Sequence, residues 1–250
     1  MFPIRDHNPS RRTPYVTWAL LAANILIFLS YYPANSGNDY ALAAVWSDWA
    51  TIPRNITAGT DMHSLLTSMF LHGGWMHLAG NMLFLWIFGD NMEDAFGHLP
   101  FLGFYLLCGV AADILQVVAN PYSPVPVVGA SGAIAGVLGG YLLLYPRARV
   151  DIIIIFIVFF KTFALRAWIV LGVWLAMQVF GGFSNPTSEG GVAYWAHVGG
   201  FATGILAALP YWLSKGGPDF WKATDGHPPH PETATPNSLS RIPIVRRRKR

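Results

Sequence analysis

Apolar residues run in long blocks along this chain, and polar residues interrupt them at a few places. A helix that crosses the hydrocarbon of a bilayer needs about 20 mostly apolar residues. Six stretches meet that need: 15–32, 65–89, 99–119, 127–145, 167–183 and 192–213. Asn120-Pro121 closes the third and Pro146 the fourth, because proline and the residue before it leave helical geometry. The segment 151–160 is also strongly apolar, but it is short, β-branched and set between charges, so it reads as an interfacial segment or buried loop and not as a seventh span. Arg11-Arg12 ahead of the first block imitates a signal peptide. The length of that block, its aromatic end and the five further spans mark it as a retained helix.

Composition sharpens this picture. Hydrophobic residues make up 53% of the 250 residues and charged residues 12%, against roughly a quarter charged in a soluble domain. Most of the charges crowd at the two ends of the chain. An ordinary soluble enzyme needs more polar cover, and a disordered chain needs fewer apolar residues; both classes are excluded. The tail from Lys215 onward holds Pro218, Pro228, Pro229, Pro231, Pro236 and Pro243 and is expected to be mostly disordered. It ends in Arg246-Arg247-Arg248-Lys249-Arg250, which suits a membrane surface or an orientation signal better than nucleic acid. Cys108 is the single cysteine, so no intrachain disulfide forms.

Charge also sets orientation. With six spans, every lysine and arginine except Arg54 falls on the side of the two termini, so both termini are expected in the cytoplasm. Segment 33–64 then lies outside, with Trp46 and Trp49 dipping into the interface. The expected fold is an all-α membrane protein with a cytoplasmic tail over 1–13, a six-transmembrane-helix domain over 14–214 and a basic, proline-rich cytoplasmic tail over 215–250.

Strongly polar groups inside spans are costly and point to function. The second stretch carries His72, His77 and Asn81; the fourth carries Ser131 within Gly129-Ala130-Ser131-Gly132; the sixth opens with His197. Asn24, Asp113, Gln116 and Gln178 lie in the first, third and fifth. At about 1.5 Å per residue, Ser131 lies about 22 Å from the inner end of its helix and His197 about 27 Å. The two therefore share one depth, toward the outer face. Gly132, Gly136 and Gly140 recur at four-residue spacing, as do Gly200, Gly204 and Ala208. Such stripes let two helix backbones approach closely. Taken singly, each feature has a plainer reading: a serine cap, a histidine bonding a neighbouring helix, glycines that only pack. Their convergence at one depth favours acyl transfer. A serine hydroxyl needs a base to take its proton, and His197 can do so and later protonate the leaving amine. Asn81, His77 and the Ser131 backbone N–H are donors for the oxyanion. No carboxylate stands out as a third member, so a dyad is expected.

These residues resemble the rhomboid family of intramembrane serine proteases across roughly 14–214. His72-Gly-Gly-Trp-Met-His77-Leu-Ala-Gly-Asn81 is similar to the family's H-x4-H-x3-N pattern, Gly129-Ala130-Ser131-Gly132 to G-x-S-G, and Ala196-His197-Val198-Gly199-Gly200 with Gly204 to A-H-x-x-G-x-x-x-G. The resemblance implies Ser131 as nucleophile, His197 as general base, His77 and Asn81 as oxyanion-hole donors, His72 as support for the loop over the site and Glu93 as a structural glutamate. It implies the six-helix rhomboid core around a water-filled cavity, and a multi-pass protein of a prokaryotic inner or plasma membrane. Its partners would be the lipid bilayer and single-span transmembrane substrates, entering near the fifth span and cut in a helix-destabilised stretch. No metal or cofactor is implied. Some members carry an aromatic one turn after the serine that stacks on the histidine; here that position is Ala135, so other groups must orient His197. Asp113 fits no family motif and reads as a hydrogen-bonded interhelical carboxylate or a protonated one. Three other readings compete: a catalytically silent relative that binds membrane helices, a transporter or proton relay through His72, His77, Asp113 and His197, and a zinc enzyme, which the five-residue His72 to His77 spacing disfavours.

Overall fold

A computed structural model describes residues 2–156, 159–185 and 191–227. In chain order the elements are β1 (Phe2–Asp6), α1 (Tyr15–Asn35), α2 (Asp39–Trp49), α3 (Pro53–Thr57), α4 (Ser64–Thr67) with a 3-10 turn at Ser68–Phe70, α5 (Trp75–Phe96), α6 (His98–Ala119), α7 (Ser131–Leu144), β2 (Arg149–Phe156), β3 (Phe159–Arg166), α8 (Ala167–Ser184), α9 (Tyr194–Ser214) and α10 (Pro218–Thr224). Each of the six apolar stretches contains a helix: α1 and α5 to α9.

Three described helices, α1, α6 and α8, are long and apolar enough to cross a membrane. α5 and α9 match them in length, but α5 carries His77 and Asn81 near its start and Asp90, Asn91, Glu93 and Asp94 near its end, and α9 carries His197 in its first turn. α7 has 14 residues, about 21 Å at 1.5 Å per residue, and it is the central helix: all but three of its residues are buried. α5, α6 and α9 pack around it, so it meets protein on most sides. Phe88, Phe101, Tyr105, Leu138 and Tyr141 fill the surrounding core.

The glycine stripes bring α7 and α9 together. A Cβ at Gly200 would overlap the carbonyl oxygen of Gly132, and one at Gly204 would overlap that of Gly136. On the side of α7 facing α6, a Cβ at Gly132 would stand 2.6 Å from that of Ala112. Glu93, fully buried, fastens α5 to the start of α1. Its carboxylate accepts from the backbone N–H of Val16 (2.9 Å) and Thr17 (2.7 Å) and from the Thr17 hydroxyl (2.7 Å), and it meets His98 Nδ1 at 2.5 Å. It thereby satisfies helix-start donors that have no partner within their own helix.

Five expectations need correction. The fold is mostly helical rather than all-α: an antiparallel sheet of order β1-β2-β3 lies where α7 ends and α8 begins. The segment 151–160, expected as an interfacial or buried loop, supplies most of its central strand, β2, and the first residues of β3. The cause is period-two patterning, for Val150 and Ile152 are buried while Asp151 between them takes Arg5 and His7, each at 2.8 Å. Those two residues sit on or next to β1, so part of the 1–13 tail is an ordered strand, with Phe2 opposite Ile153 and Asp6 opposite Val150. The beginning of the 215–250 tail is ordered as well: α10 docks through Trp221, whose ring N–H donates to Leu143 O at 2.9 Å. The rest of that tail, with the basic run 246–250, lies outside the described residues. Finally, the second apolar stretch is not one helix from residue 65. It breaks at Gly73-Gly74 and α5 starts at Trp75, which leaves His72 in the connection ahead of it.

Candidate active site

The site forms where α5, α7 and α9 begin. The chain enters α7 through a held segment: Thr51 and Val127 exchange backbone hydrogen bonds (3.1 and 2.8 Å), and Gly129 N–H donates to Ser68 O at 2.9 Å. Both Thr51 and Ser68 also donate their hydroxyls to Asp113 Oδ2, each at 2.6 Å. The carboxylate that matched no motif therefore joins α6 to the two segments that flank the α7 entry. It is a hydrogen-bonded anchor, though its partners are loop and turn residues and not another long helix.

Ser131 is the first residue of α7, where backbone N–H groups have no partner within the helix. Its Oγ lies 2.8 Å from His197 Nε2. The other ring nitrogen, Nδ1, lies 2.8 Å from Gln178 Oε1 on α8. The Trp174 ring, one turn before Gln178, is tilted over the imidazole with centroids 5.7 Å apart. Ala135 makes no such approach; it faces the α7–α9 crossing, 3.3 Å from where a Cβ on Gly200 would stand.

Gly129 has φ +127°, and a Cβ there would stand 2.7 Å from His77 Nε2 and 3.5 Å from Asn81 Nδ2. Glycine is required by both backbone and space. The His77 ring and the Asn81 amide thus converge on the space beside Gly129, two residues before Ser131. The orientation of His77 is set by its other nitrogen, since Nδ1 accepts from Gly73 N–H at 3.3 Å. Asn81 Nδ2 is buried and has no partner among the described residues. His72 is fully buried; its backbone N–H and C=O both meet the Tyr31 hydroxyl at 2.7 Å, and its ring packs edge-on against that of His77 at 5.1 Å. A cavity of about 860 Å³ opens over this group, lined among others by Trp75, His77, Gly129, Ser131, Ala196 and His197.

All of Ser131, His197, His77, Asn81, His72, Gly129, Gly132 and Gly200 therefore meet in one region. Gly204 lies a turn deeper in the α7–α9 contact, and Glu93 serves the far end of α5. The sequence marks Gln178 as a polar residue in a span but assigns it no place here, and nothing in it marks Trp174 on its own. The available signal was their four-residue spacing, which puts them on one face of α8. Among the described residues, no three His, Cys, Asp or Glu side chains cluster to hold a metal ion. What the group offers is a hydroxyl bonded to an imidazole, with two side-chain donors and a helix start beside it. That is the equipment for nucleophilic attack on a carbonyl.

Residues 59–214 match the family model of the Rhomboid domain. The rhomboid protease GluP of Bacillus subtilis is 32% identical over 207 residues, covering 82% of this chain and 36% of the relative. Rhomboid-like protease 5 of Toxoplasma gondii is 35% identical over 150 residues, 58% of this chain and 16% of the relative. The mitochondrial Rhomboid protein 1 of Saccharomyces cerevisiae is 30% identical over 160 residues, 62% of this chain and 43% of the relative. The matches span less than half the length of each of these relatives. The domain match covers more than half of the chain and contains every one of the candidate site residues, and so this multi-pass membrane protein belongs to the rhomboid family.

Proposed function

We propose that the chain is an intramembrane serine endopeptidase that cleaves transmembrane proteins with a Ser131–His197 dyad. The observation that carries this reading is the 2.8 Å contact between Ser131 Oγ and His197 Nε2 at the floor of a cavity. The sequence of events follows from elementary chemistry. His197 Nε2 takes the hydroxyl proton as Oγ attacks the scissile carbonyl. The carbonyl oxygen becomes an oxyanion, held by the Ser131 backbone N–H, Asn81 Nδ2 and His77. Collapse of the tetrahedral intermediate breaks the C–N bond, and the imidazolium gives its proton to the leaving amine. A water molecule, deprotonated by the same nitrogen, then releases the acyl-enzyme and restores the hydroxyl.

In this reading α1 and α5 to α9 are the six membrane spans, with both termini and the sheet in the cytoplasm and the dyad toward the outer leaflet, as the skewed lysine and arginine distribution supports. A peptide bond inside a stable helix has its groups engaged, so the substrate is a single-span protein whose helix is locally weak near the cut. The deciding experiment reconstitutes the full chain with a labelled single-span substrate and compares it with Ser131→Ala. Cleavage that disappears, together with loss of labelling by a fluorophosphonate, supports the dyad. Cleavage undiminished in Ser131→Ala refutes it, and a folded parent protein that neither cleaves nor takes the label supports instead a silent helix-binding relative.

A further inference from the structure

A histidine acting as base must present a bare nitrogen to the serine, and something must hold it in that tautomer. Among the described residues no carboxylate does so. The only polar side-chain contact described for His197 Nδ1 is the Gln178 carbonyl oxygen at 2.8 Å. The amide's orientation follows from its other end, where Gln178 Nε2 donates to Trp174 O at 3.3 Å. Turned the other way, the amide would press oxygen against that carbonyl oxygen and NH2 against the ring. With the amide so fixed, Oε1 can only accept. His197 Nδ1 therefore carries the hydrogen, and Nε2 is left bare toward the Ser131 hydroxyl.

We propose that Gln178 is the positioning residue of the dyad, a neutral third member that selects the reactive tautomer of His197 and holds the ring in line with Ser131. The inference rests on the serine-protease reading above. Gln178 touches neither substrate nor serine; it acts through the imidazole. One face of α8 is built around this contact. Trp174 lies over the His197 ring one turn before Gln178. Gly181 and Gly182, the next turn on, lie so close to Tyr194 and Trp195 at the start of α9 that a Cβ would collide with those rings. The glycines let α8 approach α9 closely enough for a glutamine to reach the ring. When Nε2 takes the serine proton, Nδ1–H continues to donate to Oε1, so the same bond serves the neutral ring and the imidazolium. It also makes the readiness of the dyad depend on where α8 sits.

The test uses the full chain in lipid vesicles, with Ser131→Ala as reference, and two substitutions: Gln178→Leu, which removes the acceptor, and Gln178→Glu, which keeps one at the same length. Removing one neutral hydrogen bond and leaving the ring N–H unpaired is expected to lower kcat roughly tenfold or more, with KM unchanged, and to slow fluorophosphonate labelling in parallel. Gln178→Glu is expected to restore both. A readout free of any variant of α8 is the 15N spectrum of histidine-labelled protein, with the His197 signal assigned by its loss in His197→Ala. It should report hydrogen on Nδ1 at neutral pH. A folded Gln178→Leu protein with the parent kcat, or hydrogen on Nε2 of His197, overturns the assignment while leaving the dyad in place. Cleavage that survives Ser131→Ala overturns the dyad and this assignment together.

Discussion

The contact on which the site depends crosses the α7–α9 interface, and its sensitivity to one methyl group can be worked out. Gly200→Ala adds a carbon that overlaps the Gly132 carbonyl oxygen. That oxygen belongs to helical backbone and cannot rotate aside as a side chain would. Side-chain carbons essentially never approach a heavy atom within 3.0 Å, so α7 and α9 must separate, by on the order of 1 Å given ordinary contact distances. Ser131 is the neighbour of Gly132, and His197 lies one turn before Gly200 on the same face. The separation is transmitted almost undiminished, and carries the 2.8 Å Oγ–Nε2 distance to about 4 Å, beyond hydrogen-bond reach. A misplacement of that size costs roughly 100-fold in rate, or about 2.7 kcal/mol of barrier. The folding cost of overpacking is comparable, about 1–3 kcal/mol, so both quantities are measured: cleavage and fluorophosphonate labelling for the site, thermal unfolding for the fold. Gly172→Ala on α8 is the control, since a Cβ there meets nothing within 4 Å; it should leave the rate alone and stabilise by up to about 1 kcal/mol. Gly200→Ala protein that is folded and labels at the parent rate would refute the close-crossing argument.

Two further outcomes follow from the same geometry. Asn81→Ala should lower kcat by roughly 10²–10³, the usual cost of one oxyanion donor, while unfolding temperature stays level because Asn81 Nδ2 has no partner in the resting protein; equal losses in both would remove Asn81 from the oxyanion hole. Asp6, at the end of β1, accepts from the Tyr141 hydroxyl at 2.8 Å; burial and the nearby Asp90 carboxylate push its pKa up to about 8, against the lowering effect of Tyr141 and the Asn8 backbone. The folded state thus favours the neutral acid, and that stabilisation is fully present below the ordinary carboxylate value of 3.8 and is lost as pH rises through about 8. Hydrogen exchange of residues 2–8 should accelerate between pH 6 and pH 9 beyond the intrinsic base-catalysed rise, and Asp6→Asn should abolish that excess; an excess that persists in Asp6→Asn would refute the assignment.

What the sequence disclosed, and what it did not, divides along the range of the forces involved. The helices were legible because a run of apolar residues long enough for a bilayer is a local property. So was the α7–α9 contact, because only a stripe of glycines permits it and the stripe is written at four-residue spacing. α5 starts ten residues after its apolar stretch does, because hydropathy continues through Leu71 while the break depends on backbone at Gly73-Gly74. The sheet is not legible there because a strand is defined by its partners, and one partner of β2 lies at the far end of the chain: Arg5 and Asp151 meet across 146 positions. Hydropathy marks 151–160 as buried without saying what pairs with it.

Gln178 shows the same limit within the site itself. One polar residue in an apolar helix is visible at a glance, but which ring it meets depends on the rotation of α8 about its axis and on how near α8 comes to α9. The first is fixed by a face that also presents Trp174, Gly181 and Gly182; the second by the two glycines, whose partners Tyr194 and Trp195 stand only a few residues before His197. Neither follows from Gln178 alone. The absence of an aromatic at position 135 looked like a gap in the histidine's support. It is better understood from the α7–α9 crossing, where Ala135 faces Gly200 and a larger ring would compete for the space that lets Ser131 reach His197. With α7 and α9 pressed backbone to backbone, the support for the imidazole comes from the other side, and α8 is the helix placed to give it.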